Sequence, residues 1–167
     1  MPRSIDFSIE SPASVEQITS AFLERDYWLA RLEAFGGGAR LDSLVTDTDG
    51  SVTVAIVGDG RREEVPRVFA KFYPRSWQAV HTESWRPIPG GQVRGEISIA
   101  ADGVPGSGRG KTLLEPAQNG SRLTCTATVE YKVPLIGGTI ENMVGGQLVK
   151  QFEATLEFTS DWITEHA

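Results

Sequence analysis

Polar and apolar residues alternate in two separate parts of the chain. Near the start, Ile5, Phe7 and Ile9 are separated by polar residues, and from Leu123 to Val133 every second residue is apolar. A period of two predicts strands that bury one face and leave the other face in water. We therefore expect half-buried strands at both places.

Two short helices are predicted between the first strand and the second. Ser14 and Gln17 have the spacing of a capping box, in front of apolar residues that recur on one helical face. Asp26 is the expected N-cap of a second helix, which the three glycines at 36–38 end. The chain should then leave helical structure and return to strands.

Three hairpins are predicted in the middle of the chain. Asp49-Gly50 and Asn119-Gly120 tolerate the positive φ angles of tight turns, and the segment 87–91 is rich in proline and glycine. Between the first two hairpins, the segment 65–73 has helical spacing of its apolar residues and ends at Pro74. The predicted strand pairs are 40–48 with 51–58, 78–86 with 92–101, and 108–115 with 121–133.

A long helix is expected after Pro134. Apolar residues recur there along one stripe, with a period close to 3.6. Gly145 and Gly146 lie inside it, and each costs roughly 1 kcal/mol relative to alanine. The pair predicts either a kink, which we favour, or a close contact with a neighbouring element.

Composition excludes several classes of function. The 167 residues fit one domain spanning 1–167, and a net charge of -6 argues against a nucleic-acid partner. Cys125 is the single cysteine and there are two histidines, so we expect no disulfide, no metal and no cofactor, and a buried packing role for Cys125. With no signal peptide or membrane span in the sequence, we expect a cytoplasmic protein without integral membrane contact.

The order of these elements resembles the START-like superfamily. This is the helix-grip, or SRPBCC-type, group of birch-pollen allergens, polyketide cyclases and lipid-transfer proteins. The segments that carry the resemblance are Ser11–Ile18, Val65-Pro66 with Thr82–Trp85, and Val133–Glu141. They are similar to an uncharacterised bacterial group of that superfamily, a domain of unknown function. The resemblance implies an α+β fold in which a seven-stranded, curved antiparallel sheet wraps around the long C-terminal helix.

The resemblance also implies a cavity between the sheet and the last helix. Proteins of this superfamily bind lipids, sterols and polyketides there, and this chain has more large aromatic groups than closing a small core requires. The alternative is that the aromatics fill that space completely. We expect the segment 65–73 to act as a lid, and these residues to contact a hydrophobic small molecule: Trp28, Phe69, Phe72, Tyr73, Trp85, Ile97, Tyr131, Met143, Gln147 and Phe152.

Two other functions stay open. His81 and Glu83 lie two apart on one predicted strand, so they share a face and could act as an acid and base in a polyketide-cyclase-like enzyme. Two polar residues on the outer face of the strand would explain this pair equally well, so we favour a non-catalytic protein. A third hypothesis is a module whose exposed aromatics dock a partner; the sequence does not indicate an oligomeric state.

One further segment is rich in glycine. Five of the residues in 102–112 are polar or charged, and glycines lie between them at short intervals. We expect a flexible connection between strands that borders the mouth of the cavity.

Overall fold

The structure is a computed structural model that describes residues 2–167. Its centre is a seven-stranded, curved antiparallel sheet with the order β1-β7-β6-β5-β4-β3-β2. This arrangement is the predicted helix-grip architecture. The strands are β1 (Arg3–Ser11), β2 (Arg40–Thr46), β3 (Val52–Arg61), β4 (Ser76–Ile88), β5 (Gln92–Ala101), β6 (Gly106–Ala117) and β7 (Gly120–Tyr131).

Four helices accompany the sheet. Two lie between β1 and β2, where the chain passes from one edge of the sheet to the other. The third follows a 3₁₀ turn at Arg62–Glu64, and the fourth ends the chain. They are α1 (Val15–Phe22), α2 (Arg25–Phe35), α3 (Arg67–Ala70) and α4 (Gly137–Glu165). None of the helices within residues 2–167 is long and apolar enough to cross a membrane.

Helix α1 begins at the predicted capping box. The Ser14 hydroxyl accepts a hydrogen bond from the backbone N–H of Gln17, and the Gln17 side chain accepts one from the backbone N–H of Ser14. The predicted N-cap of α2 is wrong: Glu24 occupies that position without a side-chain bond, and Asp26 lies in the first turn. Its carboxylate there still opposes the positive end of the helix dipole.

Buried aromatic rings join α2 to the rest of the molecule. Tyr27 and Trp28 are fully buried. The Tyr27 hydroxyl lies 2.7 Å from Oγ1 of Thr159 on α4, and Nε1 of Trp28 donates to the backbone oxygen of Phe22 at 2.7 Å. Phe22 in turn packs 5.0 Å from Trp85 of β4. One end of the space between sheet and α4 is therefore closed by core packing.

Helix α4 runs without interruption through its two adjacent glycines. Gly145 is buried, and a Cβ atom there would overlap Cδ1 of Ile5 on β1, whereas a Cβ atom on Gly146 would meet open space. Close contact, the alternative to the kink that we favoured, is thus present at Gly145. This glycine lets α4 approach the edge strand β1.

The glycine-rich segment differs from the prediction. Only 102–105 connect β5 to β6, and from Gly106 onward the segment is part of strand β6. Glycines cost entropy in a strand, but β6 is paired on both sides, with β5 and β7, which holds its backbone extended. The predicted strand 108–115 is therefore confirmed and begins two residues earlier, and the flexible connection is shorter than 102–112.

Candidate functional site

A cavity of about 920 Å³ lies between the sheet and α4. Its walls come from the inward faces of β3 to β7, from α1 and α2 at one end, from α3 at the other, and from α4 between Ile140 and Thr159. Most of the lining is apolar. The aromatic side chains therefore do not fill the space, which was the alternative considered from the sequence.

The cavity extends to the backbone of β6, because the first half of this strand has no side chains on its inward face. Gly106, Gly108 and Gly110 occupy alternate positions on the inward face of β6. A Cβ atom on Gly108 would lie 3.5 Å from Cγ2 of Ile99, an ordinary contact distance, so that any larger side chain would extend into the cavity. The signal in the sequence is the alternation of glycine with polar residues, in a stretch where we predicted both a flexible connection (102–112) and a strand (108–115).

Cys125 lies on β7, next to this strand, and is buried, as expected for a packing residue. Burial, with a smaller contribution from Asp6, raises the pKa of the Cys125 thiol to about 11. A thiol that stays protonated is a poor nucleophile. The cysteine therefore contributes shape rather than reactivity.

The polar centre of the cavity is a buried carboxylate on β4. Glu83 is 1% exposed, and its two oxygens accept hydrogen bonds from two nitrogens of Arg31, at 2.6 and 3.3 Å. Nε1 of Trp85 donates to Oε1 at 3.1 Å, and Nε2 of His81 lies 2.8 Å from Oε2. Four nitrogens thus surround one carboxylate.

These contacts keep Glu83 ionised. Burial alone would raise the pKa of the carboxyl, but the Arg31 charge and the hydrogen bond with His81 outweigh it and lower the pKa from 4.5 to about 2. Arg31 is itself charged, since the pair with Glu83 raises its pKa despite the cost of burial. The charges of Arg31 and Glu83 cancel, which makes the pair tolerable beside an apolar cavity.

His81 lies on the inward face of β4, between this carboxylate and the open part of the cavity. The outer-face explanation of the His81 and Glu83 pair is therefore wrong. The imidazole retains 28% of its exposure and lines the cavity. In the sheet, His81 pairs with Ile99, and Ile99 pairs with Gly108. The imidazole therefore lies in the same cross-strand row as Gly108, which has no side chain.

Arg31 is the residue of this cluster that sequence reasoning missed. It lies 52 positions before Glu83, on a different element, so no local pattern joins them. The available signal was its position three residues after Trp28, on the buried side of α2, where its guanidinium lies 4.9 Å from the Trp28 ring. Within residues 2–167, no three His, Cys, Asp or Glu side chains are placed to hold a metal ion.

Two tyrosines close the opposite end of the cavity. The hydroxyls of Tyr73 and Tyr131 lie 2.8 Å apart, and the Phe69 ring of α3 meets the Tyr131 ring edge-on at 6.5 Å. Burial, with the Tyr73 contact second, raises the pKa of Tyr131, so this hydroxyl stays protonated. These contacts hold α3 over the space between β7 and α4.

Seven of the ten residues expected to contact a ligand line this cavity. Three lie elsewhere: Trp28 is in the core behind the wall, Phe72 packs with its ring 5.1 Å from the Lys71 ammonium, and Gln147 is on the solvent side of α4. The α4 amide that does line the cavity belongs to Gln151. The seven on the wall are Phe69, Tyr73, Trp85, Ile97, Tyr131, Met143 and Phe152.

Comparison with solved structures places this architecture among known folds. Ara h 8.0201 superposes with a TM-score of 0.58 at 13% identity, covering 99% of each chain. Norcoclaurine synthase from Thalictrum flavum, in complex with dopamine and hydroxybenzaldehyde, superposes with a TM-score of 0.51 at 14% identity, covering 100% of this chain and 89% of the other. At such identities the likeness shows the fold.

Sequence comparison identifies the family. The uncharacterized protein Rv0481c of Mycobacterium tuberculosis H37Rv is 31% identical over 173 residues, covering 99% of both chains. Residues 6–163 match the family described as "Protein of unknown function (DUF2505)". The chain therefore belongs to the DUF2505 family, and its fold is the helix-grip fold of START-like proteins.

Proposed function

We propose that this protein binds a hydrophobic small molecule, such as a lipid, a sterol or a polyketide-like compound, and can carry it. The observation that supports this function best is the cavity of about 920 Å³, whose size falls within the range of roughly 300–1,000 Å³ that small-molecule sites occupy. In this proposal residues 1–167 form one ligand-binding domain, working in the cytoplasm.

The cavity wall has the chemistry that such a ligand requires. Ile99 remains 46% exposed on the inward face of β5, and Ile97 and Phe152 line the same cavity. Covering this surface would be favourable by roughly 25 cal/mol for each Å² removed from water. The polar groups on the wall include the cluster around Glu83 and the Tyr73 hydroxyl, which can orient a ligand within a mostly apolar surface.

Binding of 1-anilinonaphthalene-8-sulfonate, a dye that fluoresces in apolar sites, tests the proposal. We expect one dye molecule per chain, and about 10-fold weaker binding in Gly108→Leu because the new side chain occupies the cavity. Ser98→Leu, whose side chain points away from the cavity on the neighbouring strand β5, is the matched control. Met143 is a poorer site for blocking because it is 67% exposed at the rim.

Equal dye binding in the wild type and Gly108→Leu would contradict the proposal, provided that urea unfolding shows both chains to be folded. Loss of binding in Ser98→Leu as well as Gly108→Leu would also contradict it. Such a result would mean that the dye binds an outer surface instead of the cavity.

A second candidate function is a polyketide-cyclase-like enzyme. The observation that favours it is the His81 and Glu83 pair, which faces the cavity and could move a proton of an enclosed substrate. Turnover of a poly-β-keto substrate by the wild type, lost in His81→Phe, would support this function. Binding of the substrate without turnover would leave the protein a carrier.

A further inference from the structure

We propose that His81 is the recognition point for an acidic O–H group, so that the ligand is a lipophilic phenol, enol or carboxylic acid. This inference rests on the proposed binding function and specifies the chemistry of its ligand. Three features support the inference: the hydrogen bonds of the His81 ring, the charges beside the ring and the space in front of the ring.

The His81 nitrogen that faces Glu83 carries a hydrogen. Nε2 of His81 lies 2.8 Å from Oε2 of Glu83, and the same oxygen accepts Nη2 of Arg31 at 2.6 Å. An ionised carboxylate can only accept hydrogen bonds, so Nε2 must carry a hydrogen. This holds whether the ring is neutral or positively charged. The carboxylate therefore fixes the tautomer and the orientation of the imidazole.

The other ring nitrogen of His81, Nδ1, is free to contact a ligand. Nδ1 of His81 has no hydrogen-bond partner among residues 2–167, and the ring lies partly exposed on the cavity wall. In the neutral ring Nδ1 is an acceptor with a free lone pair. A ligand must then supply a donor, or Nδ1 loses its contact with water when the cavity fills.

The charges around His81 determine which class of donor suits Nδ1. An acidic O–H can donate to Nδ1, or it can give up its proton: the O–H bond breaks, its electron pair stays on oxygen, and an N–H bond forms on Nδ1. The imidazolium and the oxyanion then neutralise each other, beside an Arg31 and Glu83 pair that is already neutral. A protonated amine would instead bring an unpaired positive charge into an apolar cavity, beside an ion pair that is already neutral. Acidic hydroxyls are thus favoured over amines.

The body of a ligand that carries an acidic hydroxyl needs space beside His81. The row that contains His81 continues through Ile99 to Gly108, two strands away, where there is no side chain. Adjacent strands lie about 4.8 Å apart, so roughly 10 Å separates the His81 and Gly108 backbones. An aromatic or alicyclic body fits beside the imidazole, with its hydroxyl at Nδ1.

Two probes of nearly equal shape test the inference by isothermal titration calorimetry. 2-Naphthol carries a hydroxyl where 2-methylnaphthalene carries a methyl group. We expect the wild type to bind 2-naphthol about 5- to 10-fold more tightly, the ratio that one unmatched hydrogen bond produces. In His81→Phe the two affinities become equal, while in His81→Gln, whose amide oxygen can accept, part of the preference returns.

A spectroscopic readout locates the contact. In ¹⁵N NMR spectra, 2-naphthol should shift the Nδ1 resonance of His81, and 2-methylnaphthalene should not. His166 is the internal control because its Nδ1 already lies 2.8 Å from the backbone oxygen of Trp162, on the exposed end of α4. A shift of both histidines, or of neither, would overturn the assignment to His81.

The outcomes distinguish a failure of this inference from a failure of the proposed binding function. If the wild type binds both probes with equal affinity, the cavity binds lipophilic molecules and the role of His81 is refuted. If it binds neither probe, nor the dye, the binding function itself fails. A preference for 2-naphthol that persists in His81→Phe would also refute the role of His81.

Discussion

Arg31 on α2 and Glu83 on β4 form an ion pair in which Nη2 lies 2.6 Å from Oε2. The arginine side chain is 17% exposed and the glutamate 1%, so the pair is almost completely removed from water. It joins the helix that closes one end of the cavity to the middle of the sheet. Stability and the polarity of the cavity therefore depend on the same two residues.

Replacing Arg31 by methionine should lower the free energy of unfolding by about 3 kcal/mol or more, because it leaves Glu83 buried without its positive partner. Arg40 and Asp59 provide the matched control, since their side chains are 55% and 69% exposed at 3.2 Å. Arg40→Met should cost less than about 1 kcal/mol. Urea unfolding of both variants measures the difference, and equal losses would show that the buried pair does not contribute as described.

The same carboxylate predicts how stability depends on acidity. The folded protein lowers the pKa of Glu83 from 4.5 to about 2, as burial is outweighed by Arg31 and His81. A lowered pKa contributes stability that is fully present above pH 4.5 and is lost as the pH falls from 4.5 towards 2, because the unfolded chain binds the proton first. Urea unfolding between pH 3 and 7 should show this decline.

Glu83→Gln removes the titrating group and is the variant for that experiment. It should be less stable than the wild type at pH 7, and its stability should fall less between pH 4.5 and 3. Other carboxylates titrate in both proteins, so the difference between the two curves is the measurement. Parallel curves would contradict a lowered pKa at Glu83.

Much of the fold could be predicted because its signals are local. Ser14 and Gln17 are three residues apart, and their capping box forms as expected. The turn at Asp49-Gly50 joins β2 to β3, and alternation from Leu123 onward marks the inward face of β7. In each case the physical cause lies within a few residues of the signal.

The site could be predicted only in part because its decisive contacts join distant elements. No spacing in the sequence brings Arg31 to Glu83, or shows that His81 faces inward rather than outward. The glycines of β6 suggested flexibility, since their effect, an empty volume, exists only once β5 and β7 pair on either side of them. Gln147 was one turn from Gln151, the amide that lines the cavity.

Helix α3 should control access to the cavity through Phe69. This ring lines the cavity and contacts Tyr131, whereas the Phe72 ring lies outside the cavity. Phe69→Ala should speed both binding and release of 1-anilinonaphthalene-8-sulfonate by several-fold in stopped-flow fluorescence, since the lid loses its largest contact. Phe72→Ala should leave both rates near those of the wild type. Unchanged rates in Phe69→Ala would mean that ligands enter elsewhere.

The two glycines of α4 should respond oppositely to the same substitution. Gly146→Ala adds a methyl group in open space and should raise the free energy of unfolding by about 0.5–1 kcal/mol, because alanine favours the helix. Gly145→Ala places its methyl group against Cδ1 of Ile5, so Ile5 or α4 must shift. We expect it to be about 1 kcal/mol or more less stable than Gly146→Ala.

A third variant assigns that loss to the contact with β1. Combining Gly145→Ala with Ile5→Val removes Cδ1, the atom with which the new methyl group collides, and should recover part of the stability lost in Gly145→Ala alone. Urea unfolding of the three variants and of Ile5→Val completes the cycle. Additive effects of the two substitutions would show that α4 does not depend on Gly145 to approach β1. Coupling between them would show that this edge strand and the last helix are fitted to each other at one glycine.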